Sequence, residues 1–307
     1  MVTAAPRSDG AEQRLLGGIS SAFRTNPFTG RHLVVEDAHG ALLQTTDGRS
    51  YIDMFMAHGS TVLGHAHPAV LAAVRESLDA GVVIGYETDR GESVARQLST
   101  LLPSAEAVRF VASGSEAVAT ALRVARAHTG RDLVVKIDGH FNGGADYAMV
   151  NSLAQNIDLE NDGGSVSRRI PSSAGMPRAT LESVLPIPWN DLDALDAALT
   201  AYPEQIAAVI MVPIDYNNGC IAPSAGYLEA VLERTHAAGA LVIFDEVLSG
   251  LKVEGGSAQA MYGVTPDLTT VSKAISSGVP LAGVVGRRVY MESMLQPAPV
   301  GAVQGGT

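Results

Sequence analysis

The sequence predicts an α/β protein built on a mostly parallel sheet flanked by helices, with part of a smaller domain attached. Three observations carry that expectation. Short, continuous Val/Ile/Leu runs recur along the chain, as strands buried on both faces require. Amphipathic helical stretches alternate with them, the pattern of βαβ units. A length of 307 residues also exceeds the usual size of one core, so a large domain plus a smaller piece is expected.

The first clear strand is "AVRFVA" (107–112). It leads through "SGSEA" into the helix "AVATALRVARAHTG", which Gly130 closes. Further strands are read at "DLVVKI" (132–137), "IAAVIMV" (206–212), "ALVIF" (240–244), "LTTVS" (268–272) and "LAGVVG" (281–286), with a helix over about 224–238. Residues 151–185 interrupt the pattern with Gly, Ser, Pro and charge, and read as a lid, a binding loop or a disordered stretch. No internal repeat is present.

Composition removes several function classes. The net charge of −11 argues against a nucleic-acid partner, which needs a basic stripe. Cys220 is the only cysteine, so neither an intrachain disulfide nor a Cys-rich metal site can form. The start "MVTAAPRSDGAEQRLL" lacks the apolar core of a signal peptide, and no apolar run approaches membrane-spanning length. A soluble, cytoplasmic protein acting on small molecules is the expectation, with no membrane partner.

The stretch "ALVIFDEVLSG" (240–250) raises the functional question, because a buried strand runs directly into Asp245 and Glu246. An ATPase uses such an acid to hold Mg²⁺, and then needs a phosphate loop in which lysine follows glycine. The three lysines, Lys136, Lys252 and Lys273, follow Val135, Leu251 and Ser272, so that reading fails. A pyridoxal phosphate enzyme uses the acid to keep the pyridine nitrogen protonated. It needs three further parts, and each has a candidate. Lys273, in "TTVSKAISSG", would form the Schiff base and move protons. Gly114 and Ser115 would offer backbone N–H donors to the phosphate at a helix start. Phe141, in "GHFNGGAD", would cover the ring. Taken singly, each has a plainer role as a cap, a solvated charge or a core residue. Their sequence order at successive strand ends is what favours the site.

With these residues in view, the chain resembles the class III (fold type I) aminotransferases, and within them the glutamate-1-semialdehyde aminomutases. The likeness runs from about Gly17 to Thr307, through "YIDMFMAHGSTVLGHAHPAV", "VRFVASGSEA", "NNGCIAPSAGYLEAVLE", "FDEVLSG", "YGVTPDLTTVSKAISSGVPLAGVVG" and "QGGT". It implies Lys273 as the Schiff-base lysine, Asp245 at the pyridine nitrogen, Val247 under the ring and Phe141 over it. It places Asn142 beside the stacking aromatic, where the family has histidine. It further implies a homodimer in which Gly306 and Thr307 reach the neighbouring subunit's phosphate. "GGISSAFR" (17–24) resembles the aminomutases' carboxylate-binding stretch, with Ser21 and Arg24 in the binding positions; a surface salt bridge is the alternative for Arg24. His58 stands where the aminomutases place a tryptophan near the substrate, and Val212 precedes Pro213 where Glu-Pro is common. His65 and His67 in "GHAHP" lack a third ligand, so no metal is expected.

On this likeness residues 1–50 form the N-terminal part of a small domain and residues 51–307 the large cofactor-binding domain. The C-terminal segment of the small domain is absent from this chain. The expected activity is amino-group transfer between an amino acid or amine and a carbonyl compound, with the aminomutase's intramolecular exchange as one form. A racemase or epimerase on the same fold and a non-catalytic fragment are the alternatives.

Overall fold

The computed structural model describes residues 14–26, 29–81, 85–152, 167–295 and 302. The chain divides into two compact units, one of residues 1–56 and 63–81 and one of residues 57–62 and 82–307.

In the first unit, β1 (Val35–His39), β2 (Leu42–Thr45) and β3 (Ser50–Ile52) form an antiparallel meander. Its second turn is built on Asp47-Gly48. Gly48 takes a φ of 81° and the Thr45 hydroxyl donates to the Asp47 carboxylate at 2.5 Å. A single turn, α1 (Met56–Gly59), holds four successive residues at φ values of 51°, 50°, 55° and 75°. Three of them are not glycine, so this is a strained left-handed turn. In the first unit again, α2 (Pro68–Asp79) starts with its proline at N1, where the missing N–H costs nothing. His65 meets Asp53 at 2.6 Å, and His67 is the residue before that helix.

The second unit begins its regular structure with α3 (Asp89–Leu101), followed by β4 (Ala107–Val111), α4 (Gly114–Thr129) and β5 (Leu133–Ile137). Then come α5 (Arg178–Glu182), β6 (Val184–Ile187), α6 (Leu192–Ala201), β7 (Ile206–Met211), α7 (Tyr227–Ala237) and β8 (Leu241–Asp245). The series ends with α8 (Ala258–Tyr262), β9 (Leu268–Val271), β10 (Ala282–Gly286) and α9 (Arg288–Met291). Seven strands form one sheet in the order β4-β10-β9-β8-β7-β5-β6. Only β10 runs antiparallel to its neighbours, β4 and β9.

Alternate side chains of each strand enter different cores, as a period of two requires. Ala208, Ile210 and Ile243 pack against Ala117, Ala121 and Leu122 of α4. Val209, Met211, Val242 and Phe244 pack with Leu195 of α6 and Leu228 and Val231 of α7 on the other face. This two-sided burial is why the strands read as unbroken apolar runs.

Residues 151–185, expected to be irregular, are in part regular. Residues 153–166 of that stretch lie outside the described residues, whereas α5 and the start of β6 lie within it. Pro186 obscures β6 in the sequence, and it is tolerated because β6 is the last strand of the sheet. Among the described residues no helix is long and apolar enough to cross a membrane.

The sheet leaves little room at its turn into α9. A Cβ on Gly286 would lie 2.5 Å from Leu268 Cδ2 and 2.8 Å from the Asp267 carbonyl oxygen. Gly286→Ala is expected to destabilise the fold by about 1–3 kcal/mol through overpacking. A thermal midpoint equal to that of the parent protein would show that β9 and β10 are less tightly packed than described.

Candidate active site

A cleft of about 460 Å³ opens where β5, β7, β8 and β9 end and α4 begins. Its lining includes Gly114, Ser115, Phe141, Asn142, Asp245, Val247 and Lys273. These are seven of the residues singled out from sequence, drawn from four separate segments.

Asp245 is the last residue of β8 and is 4% exposed. Three donors hold its carboxylate. The Asn142 side-chain amide donates to Oδ2 at 2.9 Å, while the Thr270 hydroxyl and the Val247 N–H donate to Oδ1 at 3.0 and 3.1 Å. Burial raises its pKa, and the Asn142 bond is the strongest opposing influence, ahead of those from Val247, Thr270 and the Lys273 charge. Thr270 is a site residue that the sequence reading passed over. It lies directly opposite Asp245 in the β8–β9 register.

Glu246, the second carboxylate of the pair, does different work. It is fully buried and points to the opposite side of the turn. Its oxygens accept from the Ala258 and Gln259 N–H groups at 2.5 and 3.2 Å, the Gln259 amide at 3.1 Å and the Ser249 hydroxyl at 2.9 Å. Glu246 therefore caps α8 and fastens the segment that follows β8.

Lys273 opens a short 3₁₀ turn just beyond β9 with a φ of 49°, a strained backbone of the kind found at functional sites. Burial lowers its pKa and the Asp245 charge partly restores it. His58 is exposed, yet partial desolvation depresses its pKa first and the charge of Lys273 second, which puts the imidazole within electrostatic reach of that lysine.

The start of α4 is suited to an anion. Ser113 is its N-cap and accepts from the Glu116 N–H at 3.3 Å, while Glu116 reaches back to the Ala112 N–H at 2.8 Å. The Ser113 carbonyl takes the Ala117 N–H. The N–H groups of Gly114 and Ser115 take no bond among the described residues, and both residues line the cleft. Backbone approach is tight here. A Cβ on Gly114 would sit 3.2 Å from both methyls of Val247, and one on Gly143 would sit 2.7 Å from Ser115 Oγ. Gly143, at a φ of 96°, is thus required, and the Gly143-Gly144 doublet in the sequence was its signal. Ser115 Oγ also accepts the Gly144 N–H at 3.0 Å.

These features fit pyridoxal phosphate: a buried acid at the floor, a lysine of depressed pKa, an open helix N-terminus and apolar covers in Phe141 and Val247. Ser21 and Arg24 belong to the first unit, where Ser21 precedes a 3₁₀ turn (Ala22–Arg24) and both are exposed. Thr307 lies outside the described residues.

The two carboxylates should separate in stability measurements. Glu246→Ala leaves several buried donors unpaired, each costing about 1–3 kcal/mol, and should lower the unfolding midpoint strongly. Asp245→Asn removes a buried charge and should leave the cofactor-free midpoint unchanged or higher. A larger loss for Asp245→Asn than for Glu246→Ala would reverse the roles assigned here.

The chain is 40% identical over 301 residues to a glutamate-1-semialdehyde 2,1-aminomutase of Methanocaldococcus jannaschii, covering 97% of this chain and 67% of that protein. An omega-transaminase from Sphaerobacter thermophilus matches with a TM-score of 0.87 at 32% identity, over 95% of this chain and 66% of that one. A transaminase solved with PLP bound matches with a TM-score of 0.84 at 30% identity, with the same coverage. The chain thus spans about two thirds of the length of these relatives. The family model for aminotransferase class-III matches residues 25–307, and the chain belongs to that family of pyridoxal-phosphate enzymes.

Proposed function

We propose that this chain transfers an amino group between an amino acid or amine and a carbonyl compound, with the intramolecular exchange of glutamate-1-semialdehyde as the form to test first. The observation that carries this reading is the meeting of Lys273, Asp245 and the open start of α4 in one cleft. Pyridoxal phosphate, when bound, supplies an electron sink for the carbon bearing the amino group.

Each residue then has a task. Asp245 would face the pyridine nitrogen, kept ionised by the donors from Asn142, Thr270 and Val247. Lys273 would hold the cofactor through its amine and carry the proton to and from the reacting carbon. Its lowered pKa raises the fraction of neutral amine, the form that attacks a carbonyl and accepts a proton. Gly114 and Ser115 would bind the phosphate with the positive end of the α4 dipole. Phe141 and Val247 would cover the two ring faces. His58, near Lys273, would border the substrate, and Ser21 and Arg24 would meet its carboxylate. The assembly inferred with this reading is a homodimer, with Thr307 serving the neighbour's phosphate.

Borohydride treatment of the cofactor-loaded protein should fix the label on the Lys273 peptide; label on Lys136 or Lys252 would overturn the assignment. Lys273→Ala should lower turnover by at least about 10²-fold, the scale of a lost general base. Attachment of cofactor should accelerate with rising pH and level off below the pKa of an ordinary lysine, since burial depresses that of Lys273. Formation of 5-aminolevulinate from glutamate-1-semialdehyde would identify the aminomutase form, and exchange of the Cα hydrogen without any amino transfer would contradict the reading.

A further inference from the structure

Lys136 is a buried cation that the proposed chemistry does not use. It lies on β5, is 1% exposed, and faces neither solvent nor the main cleft. Its ammonium donates firmly to the His140 carbonyl oxygen at 2.5 Å and makes only long contacts with those of Ile137 at 3.3 Å and Asn151 at 3.5 Å, so it can still turn an N–H to a further acceptor. His140 belongs to the short loop that carries Phe141 and Asn142 into the cleft, and Ile137 is the strand residue from which that loop leaves.

A cavity of about 10 Å³ lies behind that loop, lined by Lys136, Asn142, Tyr147 and apolar side chains of α4, β5 and β7. Asn142 lines both this cavity and the main cleft. An ionised carboxylate accepts but cannot donate, so Asn142 must turn its Nδ2 to Asp245 and its Oδ1 away. That Oδ1 is buried and has no hydrogen-bond partner among the described residues. A buried carbonyl oxygen of this kind calls for a donor. The cavity has about the volume that one water needs, and Lys136 stands on its wall.

We propose that Lys136 is a positioning residue for Asp245, pinning the 137–142 loop through backbone carbonyls and the Asn142 amide through one buried water. The orientation of Asn142 then decides whether Asp245 keeps its strongest hydrogen-bond donor. Other charged or titratable groups near Lys136 are Asp138, Asp245 and Asp215, which favour its protonated form, and His140, which is held neutral beside it. Burial lowers the lysine to about 7 against their pull, so its proton is loosely held at neutral pH. This inference rests on the functional reading above, because it assigns Lys136 a task only if Asp245 serves the cofactor.

The test compares Lys136→Met and Lys136→Arg with the parent protein, each loaded with pyridoxal phosphate. Lys136→Met should weaken cofactor binding by about ten- to hundredfold, as loss of one hydrogen bond to a charged group does. It should also move the pH midpoint of the bound cofactor's visible spectrum upward, because a less firmly charged Asp245 protonates the ring less well. Lys136→Arg should restore the midpoint. A lower melting temperature with unchanged affinity and midpoint would make Lys136 a structural residue only and overturn the proposal. Should Lys136→Met fail to fold, a high-resolution structure of the parent decides: a water bonded to both Lys136 Nζ and Asn142 Oδ1 supports the proposal, and a dry cavity overturns it. A parent protein that takes up no cofactor would defeat the functional reading instead, a result distinct from either.

Discussion

A carboxylate buried at the end of a parallel strand is the constraint on which the rest of the site depends. Burial pushes Asp245 toward its neutral form, and correctly aimed donors, helped by the charge of Lys273, oppose that. The donors come from three places: its own turn through Val247, the adjacent strand β9 through Thr270, and the loop after β5 through Asn142. The last must cross the end of β7, which lies between β5 and β8 in the sheet. His140 makes that crossing possible. Its Nδ1 accepts the Val212 N–H at 3.0 Å just beyond β7, and burial holds the imidazole neutral, its pKa lowered to about 3, so the acceptor nitrogen stays free. The loop is thus tied to β7 at His140 and reaches β8 at Asn142.

Adjacent residues on this scaffold divide the labour by direction. Asp245 ends the strand toward the cleft, and Glu246, one residue on, turns away to cap α8. Fixing α8 fixes the chain between β8 and β9, and so the approach to Lys273. The strained backbones of Lys273 and of the Met56–Gly59 turn are local costs that a fold of this size can hold where function needs them.

How much of this was legible in the sequence follows from what each feature depends on. Strands buried on both faces leave continuous apolar runs, so β4, β5, β7, β8, β9 and β10 could be read directly. The strand β6 was hidden by Pro186, and β1 to β3 by mixed, largely exposed residues such as "VEDAH". In the site, Asp245, Lys273, Gly114, Ser115 and Phe141 were readable because each follows a strand in an order one cofactor explains. Thr270 depends on cross-strand register, Gly143 on a close approach to Ser115, and Lys136 on a cavity behind a loop. Only Gly143 leaves a local trace, in the Gly143-Gly144 doublet. The sequence posed Asp245 and Glu246 as one question, and only packing separates them.

The site as proposed requires Asp245 to be held as a carboxylate where the cofactor's pyridine nitrogen would lie. The most direct measurement is the ¹⁵N chemical shift of ring-labelled pyridoxal phosphate bound to the protein at neutral pH. The account predicts the shift of a protonated ring nitrogen in the parent protein and of an unprotonated one in Asp245→Asn. An unprotonated ring nitrogen in the parent, or one that stays protonated without the carboxylate, would contradict it.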